Sequence, residues 1–344
     1  MNKESFGLDI GATSIKIVLL DGKDKSFVLK AASITPAPLK GMMSSSPLDD
    51  EQMAQVIAKA VKDIGINSKT VNIALPENQV YTKVLDMPVL SDRELASAIY
   101  WEAEQNIPVP LQNITLVWNV LKRPVQQTSA DKMQVLMVGA PTVLVNKYQK
   151  IIQMAGLTVG GMETEILSIL RSIVLDENYP TSLIVNIGAI STSFAIVRNG
   201  IMIFTYSMSI GGAAINRAIA TDFGLTPQQA EEYKRVYGIS GKSLGGKIGR
   251  ATEPILNSIL AEIKKSIAFY SQKYKNDAPI RQIILCGGTA KLPGIELYFA
   301  NNSGIETGIA NPWRILASQQ VPKEILDNAP DYVIAVGLAM RDYE

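Results

Sequence analysis

Histidine is absent from all 344 residues of the chain, and cysteine occurs only once. Without histidine, the chain cannot form a Ser-His-Asp or Cys-His nucleophile system, a histidine general base or a histidine-ligated zinc site. The single cysteine, Cys286, follows the apolar run 283–285 and is predicted to be a buried strand thiol, because free cysteine behaves as a small apolar side chain. It can form no disulfide within the chain, which favours a cytosolic protein.

The chain also lacks a strong net charge and a long apolar run. Its 33 basic and 32 acidic residues leave a net charge of +1, so electrostatics give no reason to expect a nucleic-acid partner. No window approaches the ~18 uninterrupted apolar residues of a membrane span, and the N-terminus lacks the basic and apolar regions of a signal peptide. We therefore expect a cytoplasmic protein with no direct membrane insertion.

One short segment near the N-terminus combines a strand, a glycine turn and a returning strand. Asp9 ends the first strand, Gly11 begins the turn, and Thr13 and Ser14 precede Lys16 on the second strand. A turn of small residues lets phosphate oxygens approach backbone N–H groups, while the hydroxyls add donors and the lysine adds positive charge. The Asp9 carboxylate is suited to hold a hydrated Mg²⁺, which keeps several waters in proteins. The segment predicts a phosphate loop.

A related segment occurs about half a chain later. Asn186 lies at the position that corresponds to Asp9, and Gly188 at the position that corresponds to Gly11. Ser191 and Thr192 supply hydroxyls. An internal echo of this kind predicts two related lobes. A chain of 344 residues with 47% hydrophobic residues is long enough for more than one core.

Together these segments resemble the actin-like ATPase superfamily, which includes the heat-shock chaperones, FtsA and MreB. The resemblance implies an α/β, ribonuclease H-like fold with two lobes, whose paired phosphate loops bind ATP or ADP with Mg²⁺ in a cleft. It adds further nucleotide-binding residues: the phosphate-side turn Gly211 and Gly212, the ribose- and base-contacting Glu231 and Lys234, and the adenosine segment at Gly287 and Gly288.

The stretch after Pro88 has a different character. Ser91 and Glu94 predict a capping box that opens a helix, and Pro108 and Pro110 end it. We predict an inserted α/β module here, of the type called 1C in FtsA. The resemblance divides the chain into subdomain 1A (1–86, 163–178 and the C-terminal helix 323–344), subdomain 1C (87–162), subdomain 2A (179–210 and 279–322) and subdomain 2B (211–278).

Within the superfamily, the inserted segment resembles the PilM family of type IV pilus assembly proteins. Five strings carry the likeness: Leu90-Ser91-x-x-Glu94-Leu95 and residues 101–108, 138–141, 155–157 and 333–339. The resemblance implies an ATP-binding cytoplasmic adaptor held at the inner membrane by a partner, the N-terminal peptide of a PilN-like protein. Other cytoplasmic pilus components are candidate partners. Leu95, Ile99, Ile107 and Pro108 are the predicted peptide contacts, although a structural turn explains residues 107–111 equally well.

The chain departs from the superfamily pattern at Asn186, where relatives have aspartate. An amide can bind a water on Mg²⁺ but cannot act as a carboxylate base, so we expect ATP to be bound with little turnover. Glu165 corresponds to the position where relatives place a water-orienting acid, and with Asp9 it is the candidate catalytic pair. A solvated glutamate at a helix start is the alternative interpretation of Glu165.

The sequence leaves other functions open. An FtsA-like filament protein of cell division or shape is the main alternative, although FtsA ends in an amphipathic membrane helix and this chain has no such segment after its last apolar helix. A small-molecule kinase needs a base for its acceptor, for which no acidic residue is clearly placed. The adjacent Tyr100 and Trp101 fit either a partner surface or a helix core.

Overall fold

The computed structural model describes residues 5–23, 26–124, 132–239, 246–317 and 321–343. The strands are β1 (Ser5–Ile10), β2 (Ser14–Lys23), β3 (Ser26–Pro36), β4 (Thr70–Leu75), β5 (Tyr81–Pro88), β6 (Ile114–Lys122), β7 (Lys132–Pro141), β8 (Thr158–Thr164), β9 (Ser182–Ile187), β10 (Thr192–Arg198), β11 (Ile201–Met208), β12 (Gln282–Cys286) and β13 (Glu306–Ile309). The helices are α1 (Pro47–Asp63), α2 (Asp92–Asn106), α3 (Thr142–Met154), α4 (Glu165–Ile173), α5 (Gly212–Phe223), α6 (Pro227–Tyr237), α7 (Lys247–Lys273), α8 (Ile295–Ser303), α9 (Lys323–Asp327) and α10 (Val333–Met340).

Two five-stranded sheets share one topology. The first has the order β3-β2-β1-β4-β8 and the second the order β11-β10-β9-β12-β13. In each sheet an antiparallel hairpin, β1–β2 or β9–β10, continues into parallel strands. This confirms the two related lobes predicted from the repeated motif. Lobe 1 is the first sheet with α1, α3, α4 and α10, and lobe 2 is the second sheet with α5 to α8.

Lobe 1 is built around the last apolar helix of the chain. Every residue of α10 is buried, and the helix packs against β1, β2 and α4. Two glycines permit this approach. A Cβ on Gly7 would lie 2.0 Å from Ala335 O, and one on Gly337 would lie 1.8 Å from Ser168 O. The helix that supports the first hairpin therefore depends on two positions without side chains.

The third sheet is the inserted module, which comprises β5, α2, β6 and β7 (residues 81–141). Its strands have the order β5-β7-β6, and α2 covers one face. The capping box predicted at the start of α2 is confirmed, because Ser91 and Glu94 bond each other's backbone N–H groups. A second capping box, formed by Thr226 and Gln229, begins α6.

The predicted bounds of the module, 87–162, differ from the sheet membership at both ends. Strand β5 begins at Tyr81 and pairs with β7 along its whole length, so the module starts before Pro88. At the other end, β8 pairs in parallel with β4, and Tyr148 and Ile151 of α3 pack in the core of lobe 1. Pro88 is the last residue of β5, an edge strand of the sheet, where proline is tolerated, and it does not mark the boundary of a domain.

A shared core joins the three units. Ile169 of α4, Val138 of the module and Ile184 of lobe 2 belong to one cluster of buried apolar side chains, together with Cys286. The prediction of a buried thiol is confirmed, and burial raises the pKa of Cys286. Within the ranges that the structure describes, no helix combines the length and apolar character needed to cross a membrane.

Candidate functional site

The first hairpin turn lies in a cleft lined by both lobes. Asp9 and Lys16 are cross-strand neighbours, and Lys16 Nζ lies 3.0 Å from Asp9 Oδ2. Burial by itself lowers the pKa of Lys16, but the Asp9 carboxylate outweighs this effect and raises the pKa above its usual value. The lysine therefore remains charged. The Gly11 N–H donates to Ser14 O over 3.0 Å and closes the turn.

The second turn lines the same cleft from lobe 2. The Gly188 N–H donates to Ser191 O over 2.9 Å, which is the closure seen in the first turn. The start of α5 is joined to this turn because the Gly212 N–H donates to Gly188 O, also over 2.9 Å. A Cβ on Gly211 would lie 2.6 Å from the same carbonyl. The N-terminus of α5 thus adds positive potential beside the turn, as anion-binding helix ends do.

The glycine pair after β12 forms a third border of the cleft. Gly287 has a φ of +81°, and a Cβ there would lie 2.6 Å from Asn186 Oδ1. Its N–H donates to Pro330 O over 2.9 Å, which joins lobe 2 to the segment before α10. Beside this bond, Lys291 forms an ion pair with Asp331. The pair connects the two lobes at the cleft.

Helix α6 contributes a charged cluster. Glu231 Oε2 accepts hydrogen bonds from Asn216 Nδ2 and Lys234 Nζ, each over 2.6 Å. Lys234 is buried, and a Cβ on Gly212 would lie 3.6 Å from its Nζ. Lys234 therefore brings a positive charge to the start of α5, beside the second turn.

The cleft has a volume of about 870 Å³ and brings together most of the predicted site. Its lining includes both predicted catalytic residues and all but two of the predicted nucleotide-binding residues: Asp9, Gly11, Thr13, Ser14, Lys16, Glu165, Asn186, Gly188, Ser191, Gly212, Glu231, Lys234, Gly287 and Gly288. The prediction of Thr192 as a ligand is wrong, because its hydroxyl is buried and donates to Ile210 O over 2.7 Å. Gly211 does not line the cleft; it packs closely against the Gly188 carbonyl at the start of α5.

Glu165 starts α4 and faces the cleft as a partly buried side chain. Burial and, after it, the negative charge of Asp9 raise the pKa of Glu165 to about 8. Its Oε2 accepts a hydrogen bond of 3.4 Å from the backbone N–H of Glu77. The alternative of a solvated helix-start glutamate is therefore wrong.

Replacing Glu165 with glutamine is expected to stabilise the protein increasingly as the pH rises from about 5 to 8. The folded state holds a proton on Glu165 up to a pKa of about 8, whereas the unfolded chain releases it near the usual 4.5. The unfolded state then binds fewer protons, so stability falls with rising pH in this window. Glutamine has no proton to release, so Glu165→Gln does not lose stability in this way. The free energy of unfolding that the parent loses by pH 8 is on the order of 2 kcal/mol after allowance for solvent screening.

The measurement is urea unfolding of both proteins at pH 5, 6, 7 and 8. Glu51→Gln is the control, because Glu51 lies on the exposed face of α1 and its variant should follow the parent curve at every pH. A difference between Glu165→Gln and the parent that is the same at pH 5 and pH 8 would contradict the prediction.

Two residues that line the cleft, Tyr148 and Asp331, and one beside it, Lys147, were missed by sequence reasoning. Tyr148 of α3 is buried and lines the cleft, but its helical spacing is typical of any core residue. Lys147 Nζ donates to Met42 O over 2.5 Å and so fixes a loop that borders the cleft. Of the three, Asp331 has a sequence feature that could have identified it, because it is a polar residue just before a strongly apolar helix.

A second cavity, of about 710 Å³, lies among all three units, and we call it the groove. Strands β6 and β7 line it from the module, β8, α3 and α4 from lobe 1, and residues 200–202 from lobe 2. Its apolar side chains are Leu75, Val117, Val120, Leu121, Val138, Ala140, Val145, Met162, Leu167, Leu170, Val174, Ile201 and Met202. Its charged residues form one cluster, in which Glu163 pairs with Arg171 over 2.9 Å and with Arg341 over 3.4 Å.

The predicted peptide contacts lie elsewhere. Leu95, Ile99 and Ile107 are at most 4% exposed and form the core between α2 and the three-stranded sheet, so their prediction as a contact surface is wrong. Leu95 and Ile99 are four residues apart, which is the spacing of side chains on the core side of α2. Pro108 is exposed. Trp101 is 60% exposed, which excludes the helix-core interpretation of that residue.

The two sheets of common topology and the cleft between them define a protein of the actin-like ATPase fold. Solved structures of this fold match the whole architecture. EutJ, an ethanolamine utilization protein from Carboxydothermus hydrogenoformans, aligns with a TM-score of 0.59 and 16% identity over 97% of this chain and 88% of its own. MreB5 of Spiroplasma citri, bound to AMPPNP, aligns with a TM-score of 0.55 and 12% identity over 98% and 95%.

The chain belongs to the family described as type IV pilus assembly protein PilM, whose model matches residues 7–343. The structure of a PilM-PilN type IV pilus biogenesis complex aligns with a TM-score of 0.87 and 26% identity, covering 99% of both chains. The cell division protein FtsA of Streptococcus pneumoniae serotype 2 (strain D39 / NCTC 7466) is 25% identical over 365 residues, which cover 91% of this chain and 78% of FtsA.

Proposed function

We propose that this chain is a nucleotide-binding adaptor of type IV pilus assembly. The observation that carries the proposal is the pair of like turns, closed by the Gly11–Ser14 and Gly188–Ser191 bonds, that line one cleft. The family is that of a pilus assembly protein. The cleft supplies what ATP or ADP needs, and the groove supplies a separate surface for a protein partner.

The residues of the cleft fit a nucleotide with Mg²⁺. Gly211 and Gly287 allow the chain to pack closely against the second turn, because a Cβ at either position would clash with it or with Asn186. The two turns with Lys16 would hold the phosphates. Among the described residues, no three acidic side chains or thiols converge on a point suited to a metal. Asp9 would therefore hold Mg²⁺ through water, with phosphate oxygens as further ligands. Glu231 would bind the ribose.

Slow turnover is part of the proposal. Asn186 lies at the end of β9, where its amide nitrogen is 3.5 Å from Ser193 Oγ, and an amide offers no charge or base to the reaction. Positioning and charge neutralisation carry most of phosphoryl transfer, so the loss of one carboxylate slows hydrolysis more than it weakens binding. A steady-state rate like that of ordinary ATPases in the purified protein would contradict this.

We place the partner peptide in the groove. Strand β6 is an edge of the three-stranded sheet, and its Val117 and Leu121 line the cavity. An extended segment could add main-chain hydrogen bonds at such an edge while its apolar side chains fill the pocket. The partner is the N-terminal cytoplasmic peptide of a PilN-like membrane protein, which would hold this chain at the cytoplasmic face of the inner membrane.

Replacing Val117 with aspartate is expected to weaken peptide binding at least tenfold and to leave ATP affinity unchanged. Val117 is 54% exposed and lines the groove, so the carboxylate is tolerated in the free protein but is costly to bury beneath an apolar peptide. The measurement is calorimetric titration of a synthetic peptide, with the N-terminal sequence of the PilN-like protein of the same genome, into protein loaded with ATP–Mg²⁺.

Val143→Asp is the matched control. Val143 is 78% exposed at the start of α3 and outside the lining of the groove, so the same change there should leave peptide affinity as it is. Equal weakening by both variants would argue for a general charge effect. If the unaltered protein binds no peptide in any nucleotide state, ATP-dependent polymers are to be sought, because FtsA is also a relative.

A further inference from the structure

Glu77 lies where the chain leaves lobe 1 and enters the inserted module, between β4 and β5. Its side chain is only 4% exposed. Thr205 of lobe 2 donates to its Oε1 over 3.4 Å. Burial raises the pKa of the Glu77 carboxyl above its usual value. The hydroxyls of Thr82 in the module and Thr164 in lobe 1 lie close enough to lower the pKa, but by less than burial raises it. One buried carboxyl is thus surrounded by a hydroxyl from each of the three units.

The backbone of Glu77 makes two more connections of the same kind. Its carbonyl accepts a hydrogen bond of 3.4 Å from Ser207 of lobe 2, and its N–H donates to Glu165 of lobe 1. Ser207 is the cross-strand partner of Ser193, which follows the second turn of the cleft by two residues. A movement of either lobe relative to the other must therefore change the surroundings of Glu77.

Glu77 also lies between the two cavities. Thr164 lines the groove, whereas the next residue, Glu165, lines the cleft. Helix α3 repeats this arrangement, since Tyr148 lines the cleft and its neighbour Gln149 lines the groove. The cleft and the groove therefore share two wall segments, the junction of β8 with α4 and helix α3.

The width of the groove depends on the position of lobe 2. The hairpin residues Gly200 to Met202 form its third wall, and β11 also packs against β5. The ion pair between Lys273 of α7 and Asp86 of β5, at 2.9 Å, joins the module to lobe 2 a second time. A change in lobe angle at the cleft therefore moves the hairpin wall and the module wall of the groove.

We propose that Glu77 is a positioning residue that couples the two cavities, so that a nucleotide in the cleft and a peptide in the groove change each other's affinity. The inference rests on the proposed function, because it takes the cleft as a nucleotide site and the groove as a peptide site. Such coupling is reciprocal. Glu77 transmits it because its carboxyl holds all three units in one arrangement, and Oε2, which is buried and forms no hydrogen bond of ordinary geometry with the described residues, is available for a second arrangement.

The experiment measures the ratio of peptide dissociation constants without and with ATP–Mg²⁺, by calorimetry with the peptide defined above. In the parent protein we expect a ratio of about 5 to 100. In Glu77→Ala the ratio should fall to about one, while each ligand still binds on its own. Glu77→Gln should keep most of the coupling, because its amide can still accept from Thr205 and donate to the neighbouring hydroxyls.

Two further variants separate coupling from damage to the fold. Thr205→Val removes the contact of lobe 2 with the Glu77 carboxyl and leaves the Ser207 bond to the Glu77 backbone carbonyl in place. If the carboxyl carries the coupling, this variant should also lower the ratio towards one, and it serves if Glu77→Ala does not fold. Thr252→Ala removes a buried hydroxyl that bonds within α7 and should leave the ratio at the parent value. Loss of coupling in this control as well would overturn the specific role of Glu77.

The outcomes distinguish this inference from the function on which it rests. A parent protein that binds the peptide equally well with and without nucleotide overturns the coupling but leaves the adaptor function standing. Coupling that persists in both Glu77→Ala and Thr205→Val assigns the coupling to other residues and overturns the role of Glu77. A parent protein that binds no peptide at all overturns both.

Discussion

Replacing Gly337 with alanine is expected to lower the free energy of unfolding by about 3 kcal/mol or more, one of the largest effects for a single methyl group in this chain. A Cβ at this position would lie 1.8 Å from Ser168 O and 2.5 Å from Ser168 C. Both are backbone atoms of α4, so no side chain can turn away. Helices α4 and α10 must separate, and overpacking of a tight core costs about 1–3 kcal/mol, occasionally more.

The consequence extends beyond the two helices. Helix α10 covers β1, whose last residues place Asp9 in the cleft, and Gly337 O accepts a hydrogen bond of 3.1 Å from Arg171 of the groove cluster. A shift of α10 should therefore lower the affinity of both cavities for their proposed ligands. Urea unfolding monitored by circular dichroism gives the stability, and nucleotide and peptide titrations of the folded fraction give the two affinities.

Gly308→Ala is the control for this substitution. Gly308 lies in β13, and a Cβ built there has no heavy atom within 4 Å. The same chemical change should therefore alter stability by less than about 0.5 kcal/mol, as is usual for substitutions away from packed features. If Gly337→Ala proves as stable as Gly308→Ala, the close packing of α10 on α4 is not what holds lobe 1 together.

The parts of the site that were predicted correctly have local causes. The turns at Gly11 and Gly188 are closed by bonds between residues three apart, so the residues that make the turn are contiguous in sequence. The capping box is local in the same way, and the box predicted at Ser91 and Glu94 is present. The repeated motif then led to the two-lobed fold, because a hairpin that occurs twice implies a sheet that occurs twice.

The parts that failed depend on which surfaces meet in three dimensions. Leu95 and Ile99 have the spacing of an apolar helix face, and the spacing cannot tell whether that face meets a sheet or a ligand. Thr192 lies next to Ser191, but as the first residue of β10 its hydroxyl is bonded to Ile210 O, behind the cleft. The module boundary was displaced because pairing of β8 with β4 joins segments some 90 residues apart in sequence. Such long-range pairing leaves little trace in local pattern.

Glu77 is the clearest example of a residue that sequence alone cannot single out. It occurs in a polar stretch between two strands, where a glutamate is normally solvated. Its burial follows from three units that close around it. The physical cost of burying a carboxyl makes the position conspicuous only once the tertiary structure is known.

Replacing Lys16 with methionine is expected to weaken ATP–Mg²⁺ binding by about 100-fold and to destabilise lobe 1 by about 3 kcal/mol. Hydrogen bonds to charged groups contribute about 1.5–3 kcal/mol, which is ten- to a hundredfold in affinity. Lys16 and Asp9 form a pair whose side chains are only 12% and 5% exposed. Methionine keeps the length of the side chain but leaves Asp9 as an uncompensated buried charge, which costs about 3 kcal/mol or more.

A similar pair on the neighbouring strands provides the control. Lys30 and Asp21 are 3.2 Å apart, but their side chains are 49% and 57% exposed. Exposed pairs contribute little, so Lys30→Met should change neither ATP affinity nor stability measurably. Calorimetric titration with ATP–Mg²⁺ and urea unfolding of both variants provide the comparison.

The double variant Asp9→Asn/Lys16→Met separates the two roles of the pair. Removing the carboxylate charge removes the buried, uncompensated ion, so stability should return towards the parent value, because replacing both partners of a buried pair is far less costly than removing one. ATP binding should stay lost, since the lysine proposed to hold the phosphates and the carboxylate proposed to hold Mg²⁺ are then both missing. A stable double variant that binds ATP as the parent does would show that the first hairpin is a structural turn, and the phosphates would have to be held by the second turn and α5 alone.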